Sequence, residues 1–154
     1  MRITLTTLQQ HVKNNNKFSV LTCYDATFAK ILEGAGVDVL LIGDSLGNVL
    51  KGESTTLSVT LDDIIYHTRC VSSGSNRALI MADMPFGSYQ QSPQQAFDNA
   101  SKILAAGAHM VKIEGGQVMA ETTAFLTQRG IPVCAHIGLM PQSIHQLGGY
   151  KLQG

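Results

Sequence analysis

Three carboxylates occupy equivalent places in this sequence. Asp44, Asp83 and Glu114 each follow a short apolar run (37–42, 78–82 and 109–113) by one or two residues. Ser45 comes directly after Asp44, Lys112 lies inside the last of those runs, and His136 follows a fourth run that begins at Val133. If the runs are parallel strands, all of these side chains gather on one rim, because sites in parallel α/β folds form at the carboxyl ends of strands. Converging carboxylates repel one another unless something neutralises them. Oxygen ligands without clustered Cys or His suit a hard divalent cation, Mg²⁺ or a relative, rather than zinc. Lys112 would add a fixed positive charge for an anionic substrate, and a lysine within an apolar strand is seldom left unpaired.

Taken singly, each residue has a plainer reading. Asp44 suits a turn in Gly43-Asp44-Ser45, Asp83 precedes a Met84-Pro85 turn, and Glu114 before Gly115-Gly116 could simply be solvated. A lone histidine such as His136 is more often structural than catalytic. Asp25 is most simply a helix cap. The joint placement of the acids, rather than any one of them, points to a site.

The elements that would position them alternate regularly. Strands are expected at 18–22, 37–42, 78–82, 109–113 and from 133 onward, and helices at about 26–34, 61–73, 93–106 and 117–129. Asp25, Thr60 and Ser92 are the expected caps. Ser92-Pro93-Gln94-Gln95 has the form of a capping box with Pro at the first helical position. The stretch after Ile137 reads as loop, with no closing helix. A series of βα units means a parallel α/β fold. Two completions fit: the first part of a (β/α)₈ barrel, or a five-stranded doubly wound sheet of flavodoxin type. The unfinished last unit favours the barrel.

Composition narrows the partners. The 154 residues suit a single domain; 44% are hydrophobic and 14% charged, which excludes wholesale disorder. Eleven basic residues balance eleven acidic ones, so no basic field is available for nucleic acid or an anionic membrane. No apolar run reaches membrane-span length, and Met1-Arg2-Ile3-Thr4 does not open a signal peptide. Cys23, Cys70 and Cys134 are odd in number and widely spaced, which fits a reducing cytoplasm and small buried side chains. A small-molecule partner is expected.

Two other functional readings can be weighed. Gly43-Asp44-Ser45-Leu46 spells the GDSL signature of a serine esterase family. That family needs an Asp-x-x-His late in the chain, and none occurs here. A receiver-like Mg²⁺-binding signalling module needs a lysine after its fifth strand, where this sequence has His136. The glycine-rich turns match neither dinucleotide nor P-loop fingerprints.

The sequence resembles ketopantoate hydroxymethyltransferase. The resemblance is carried by Thr22-Cys23-Tyr24-Asp25, Leu41-Ile42-Gly43-Asp44-Ser45-Leu46-Gly47, Tyr66-His67-Thr68 and Ala82-Asp83-Met84-Pro85-Phe86. It continues through 108–116, 131–139, Pro141-Gln142-Ser143 and 148–154, in order along the whole chain. It implies a (β/α)₈ barrel, Mg²⁺, 3-methyl-2-oxobutanoate as ketoacid substrate, 5,10-methylenetetrahydrofolate as co-substrate, and a cytoplasmic homo-oligomer, decameric in the family. Carried over by position, Asp44 and Asp83 become the direct metal ligands, and Glu114 a further metal-site residue acting through water. Asp44, Ser45, Asp83 and Lys112 become ketoacid contacts, and His136 a site-lining residue. The family's general base, a Glu on a later strand, has no counterpart in this sequence. Residues 1–154 therefore resemble the N-terminal part of one barrel domain without its last three βα units, and weak or no turnover is expected of the chain alone.

Overall fold

Asp25, Thr60 and Ser92 each accept a hydrogen bond from the backbone N–H three residues on, at 2.8, 3.1 and 3.1 Å. At Thr60 the box closes, with Asp63 Oδ2 accepting the Thr60 N–H at 2.8 Å. At Ser92 it does not. Gln95 Oε1 instead accepts the N–H of Gln91 at 3.1 Å, and its amide donates to Gly87 O, tying the helix to the loop before it. The helices therefore begin where their caps predict.

The structure is a computed structural model describing residues 1–149; the expected loop residues Tyr150 to Gly154 lie outside the described residues. In chain order the elements are α1 (Leu5–Lys13), β1 (Val20–Thr22), α2 (Ala26–Gly34), β2 (Val39–Ile42), a short α3 (Leu46–Val49) and α4 (Leu61–Gly74). β3 (Leu79–Asp83), α5 (Pro93–Ala105), β4 (Met110–Glu114), α6 (Ala120–Gln128), β5 (Val133–His136) and a short α7 (Ile144–Leu147) follow. Single 3₁₀ turns, Gly116–Met119 and Pro141–Ser143, precede α6 and α7.

Three helices depart from expectation: α1, α7 and the short α3, which lies in the connection between β2 and α4. No element is expected over 1–17, yet Thr4 and Thr7 cap α1 reciprocally and Leu8 is buried. The loop expected after Ile137 contains a 3₁₀ turn started by Pro141, then α7, which stops at Gly148 in the left-handed region (φ 72°). Strands β3 and β4 also run one residue further than expected. Parallel pairing holds Asp83 against Lys112 and Glu114 against His136, so both acids belong to strands rather than to turns.

The strands form one parallel sheet in the order β1-β2-β3-β4-β5. Each strand lies beside its predecessor and the direction never reverses. A flavodoxin-type sheet must reverse beside its first strand, so that alternative is excluded and the successive units advance as in a barrel wall. On one face Leu40, Ile42, Ile80, Ala82, Val111 and Ile113 pack beneath the helices. On the other, Val39, Leu79, Met81 and Met110 pack with Ile3 and Leu8 at the α1 end. Because side chains alternate along a strand, Asp83 and Lys112 share this second face. It is apolar where the strands begin and charged where they end. No helix among the described residues is long and apolar enough to cross a membrane.

Gly74 ends α4 against α2. A Cβ there would stand 2.3 Å from Ala26 O and 2.7 Å from Ala26 Cα, and backbone cannot swing aside. Gly74→Ala is expected to lower the unfolding free energy by about 1–3 kcal/mol. Urea denaturation should show an earlier midpoint with an unchanged slope; an unmoved midpoint would mean that the helices do not approach this closely.

Candidate active site

The end of the charged face is built around one ion pair. Lys112 Nζ donates to Asp83 Oδ1 at 2.6 Å, with the Asp83 side chain 4% exposed and that of Lys112 16%. Burial alone would pull the Lys112 pKa down. The charges of Asp83, Asp44 and Glu114 outweigh it and hold the ammonium above its ordinary range. The strand register places these partners, since Asp83 and Lys112 are neighbours across the β3–β4 ladder.

Asp83 uses its second oxygen to fasten the next acid. Oδ2 accepts the backbone N–H of Asp44 at 3.0 Å. A Cβ at Gly43 would crowd the Ser45 hydroxyl, 2.8 Å from its Oγ, while meeting Asp83 Oδ2 only at an ordinary 3.6 Å. The hydrogen bond to Asp83 holds the Asp44 carboxyl in a buried position beside a second carboxylate. Burial first, and then the charge of Asp83, push its pKa up to about 6, against the opposing pull of Gln142 and Lys112. Burial likewise raises the carboxyl of Glu114, which is buried as well.

Gln142 connects these acids. Its amide donates to Asp44 Oδ2 at 2.9 Å and to Met84 O at 3.0 Å, and its backbone N–H donates to Glu114 Oε2 at 3.2 Å. Its Oε1 accepts from Tyr89 O–H at 2.7 Å and from Gln90 Nε2 at 3.1 Å. The Tyr89 hydroxyl in turn accepts the N–H of Glu114 at 3.0 Å. Both residues were missed by the sequence reading. A glutamine in Met-Pro-Gln-Ser carries no mark of burial until the 3₁₀ turn folds it over the rim, and Tyr89 reads as an ordinary loop aromatic.

The remaining candidates lie around this centre. The Ser45 hydroxyl is 2.8 Å from Tyr24 O–H, and His67 Nδ1 is 2.7 Å from Tyr24 O. No histidine among the described residues reaches Ser45 Oγ, so the relay a GDSL esterase needs is not assembled. His136 ends β5 opposite Glu114, with Nε2 2.6 Å from Leu139 O; it lines the rim and makes no hydrogen bond to Asp44, Asp83 or Lys112. Asp25 caps α2, as expected.

The donor set suits a hard cation in a particular way. No three His, Cys, Asp or Glu side chains among the described residues close into a ready metal cage. Asp44 and Asp83 do come together, with Glu114 linked to Asp44 through Gln142. Among the described residues, Asp44 Oδ1 and Glu114 Oε1 accept no hydrogen bond, since Gln142 engages only the other oxygen of each. Mg²⁺ is ordinarily held by one or two carboxylates and keeps several positions for water or substrate oxygens. Asp44 and Glu114, both buried, both raised in pKa and each with one unused oxygen, fit that mode beside Asp83.

A family profile described as Ketopantoate hydroxymethyltransferase matches residues 2–154. The 3-methyl-2-oxobutanoate hydroxymethyltransferase of Nitrosomonas europaea is 68% identical over 153 residues, covering 99% of this chain and 57% of the relative. That of Nitrosospira multiformis is 66% identical, covering 100% and 59%. The chain thus spans under two thirds of the length of these relatives. Among solved structures, 2,3-dimethylmalate lyase, a PEP mutase/isocitrate lyase superfamily member, aligns with a TM-score of 0.65 at 20% identity, over 97% of this chain and 55% of its own. Phosphonopyruvate hydrolase in complex with oxalate and Mg²⁺ aligns with a TM-score of 0.64 at 15% identity, over 83% and 50%. At those identities the likeness concerns the fold.

The raised carboxyl of Asp44 makes stability depend on pH in a definite direction. Between its ordinary value of 3.8 and about 6, the folded chain keeps a proton that the unfolded chain has released. Metal-free stability therefore falls as pH rises through that window. Asp44→Asn has no such proton to lose, so its stability relative to the parent should rise between about pH 4 and about pH 7. Urea unfolding in EDTA reads this directly; a constant difference across the window would show that Asp44 is not held next to Asp83 as described.

Proposed function

The chain belongs to the ketopantoate hydroxymethyltransferase family, and we propose that its buried rim holds the metal and ketoacid half of that family's site. The observation that carries this reading is the arrangement of Asp44 and Asp83. Two buried acids are locked by the Asp44 N–H on Asp83 Oδ2, with Lys112 on the other Asp83 oxygen. On this reading residues 1–154 are the N-terminal part of a single (β/α)₈ barrel domain, cytoplasmic and homo-oligomeric in the whole protein.

The reaction joins 3-methyl-2-oxobutanoate to a one-carbon unit from 5,10-methylenetetrahydrofolate. The C3–H bond of the ketoacid breaks, a C3–CH₂ bond forms, water supplies the hydroxyl, and tetrahydrofolate departs. Asp44 and Asp83 would hold Mg²⁺ directly and Glu114 through water. When bound, the ion supplies Lewis-acid polarisation of the 2-oxo group and offsets the negative charge that develops on its oxygen. The oxalate and Mg²⁺ of the phosphonopyruvate hydrolase structure are the kind of pairing this reading expects.

The chain's own residues do the rest. Lys112 orients Asp83 through their 2.6 Å ion pair, and adds positive charge where a carboxylate must sit. Ser45, its hydroxyl placed by Tyr24, donates toward the same anion. His136 borders the space. Gln142 holds Asp44 and Glu114 apart and aimed. Proton removal from C3 needs a positioned base, commonly worth ~10²–10⁴-fold in rate. None of the residues assigned here takes that role, so the chain alone turns over weakly or not at all.

NMR of 3-methyl-2-oxobutanoate in D₂O tests this without folate. The ligand's resonances should broaden when chain and Mg²⁺ are both present, and sharpen again with Asp83→Ala. Its C3 proton should exchange no faster than in Mg²⁺ alone. Absence of Mg²⁺-dependent broadening would refute the site, and fast exchange would show that the chain supplies a base of its own.

A further inference from the structure

Two of the sequence stretches singled out above, Thr22-Cys23-Tyr24-Asp25 and Tyr66-His67-Thr68, meet in the fold, and the reaction proposed above uses only Tyr24 of them. β1 is three residues long and lies at one edge of the sheet, so β2 alone holds it. The turn that follows, 23–25, has no strand beyond it to lean on. Among the described residues, no backbone N–H donates to the Tyr24 carbonyl. His67, in the second turn of α4, takes that place, with Nδ1 2.7 Å from Tyr24 O. A carbonyl oxygen only accepts, so Nδ1 carries the hydrogen and donates it. The imidazole also stands edge-on to the Tyr24 ring, with centroids 6.2 Å apart, and Tyr66 stands edge-on to the imidazole at 5.2 Å.

Ser45 shows a matching irregularity. It occupies the N-cap position of α3, where a serine ordinarily caps, yet its side chain makes no capping hydrogen bond. Its hydroxyl meets the Tyr24 O–H instead, at 2.8 Å. Each hydroxyl has one hydrogen to give. With Tyr24 as the donor, the hydrogen of Ser45 is left for an incoming anion.

We propose that His67 is a positioning residue for the ketoacid: it pins the turn that carries Tyr24, Tyr24 donates to Ser45, and Ser45 presents its own hydrogen to the ketoacid carboxylate. The inference rests on the function proposed above. No histidine among the described residues reaches Ser45 directly, so the effect of His67 passes through Tyr24. Without the imidazole, the Tyr24 carbonyl loses its donor and the phenol is free to leave Ser45. What is lost is the worth of about one hydrogen bond.

The titrated, Mg²⁺-dependent broadening of 3-methyl-2-oxobutanoate gives its affinity. That affinity should fall about three- to tenfold in Tyr24→Phe and in His67→Ala. The double variant should bind no more weakly than Tyr24→Phe alone, because His67 acts through Tyr24. His67→Asn should recover most of the loss, since its Nδ2 hydrogens stand as many bonds from the backbone as the Nδ1 hydrogen does. Mn²⁺ affinity should match the parent in every variant, which separates lost positioning from lost fold.

A chain carrying ¹³Cζ-labelled tyrosine reads the same contact without ketoacid. It has four tyrosines, and Tyr24→Phe identifies the signal of one. Ser45→Ala should shift that signal, and His67→Ala should shift it in the same direction. His67→Asn, which also lacks the ring, should leave it near the parent position. Parent-like ketoacid affinity in His67→Ala, additive losses in the double variant, or a Tyr24 signal that ignores His67→Ala would each overturn the inference. A parent chain that binds no ketoacid, with the Tyr24 signal moving as expected, would overturn the function proposed above and the role of His67 in it, leaving only the contact among the three side chains.

Discussion

Lys112 is one half-buried cation among three buried carboxylates, and the site depends on that imbalance. Its ion pair with Asp83 is short and well shielded. Asp44 lies next to it with a carboxyl pushed up to about 6, and Glu114 is raised as well. A single ammonium cannot neutralise three acids, so the folded chain carries unrelieved negative charge in a place that disfavours it. Such an arrangement costs stability unless a proton or a cation is present. The cost makes physical sense if the missing positive charge arrives with function.

The fold makes this arrangement possible by separating packing from charge. The same strand face is apolar where α1 covers it and polar at the carboxyl ends. The helices bury the opposite face, so the sheet does not rely on the charged rim for its core. Gln142 then does with neutral hydrogen bonds what a second lysine could not. It satisfies Asp44 and Glu114 without cancelling the charge that would attract a metal. Tyr89, buried beneath it, fixes its amide orientation.

Much of this was legible in the residues, and the reasons are specific. Asp25, Thr60 and Ser92 announced their helices because a cap is a local interaction. The apolar runs announced the strands, and through them the shared rim of Asp44, Asp83 and Glu114. The barrel-like order over the doubly wound one was not legible from periodicity, since both present the same alternation; the pairing register decides it. Helix α1 was overlooked although Thr4 and the spacing of Leu5, Leu8 and Val12 carry its signature. Gln142 could not have been found as a site residue, because its role comes from a contact with Asp44 at a sequence separation of 98.

The central claim is that Asp44 and Asp83 form a prearranged seat for one hard divalent cation. Electron paramagnetic resonance of Mn²⁺ titrated into the chain near neutral pH tests it most directly. The account predicts one bound ion per chain, displaced by Mg²⁺, with affinity falling at least about tenfold in Asp44→Asn. Equal binding by Asp44→Asn and the parent, or no bound Mn²⁺ in a folded chain, would contradict it.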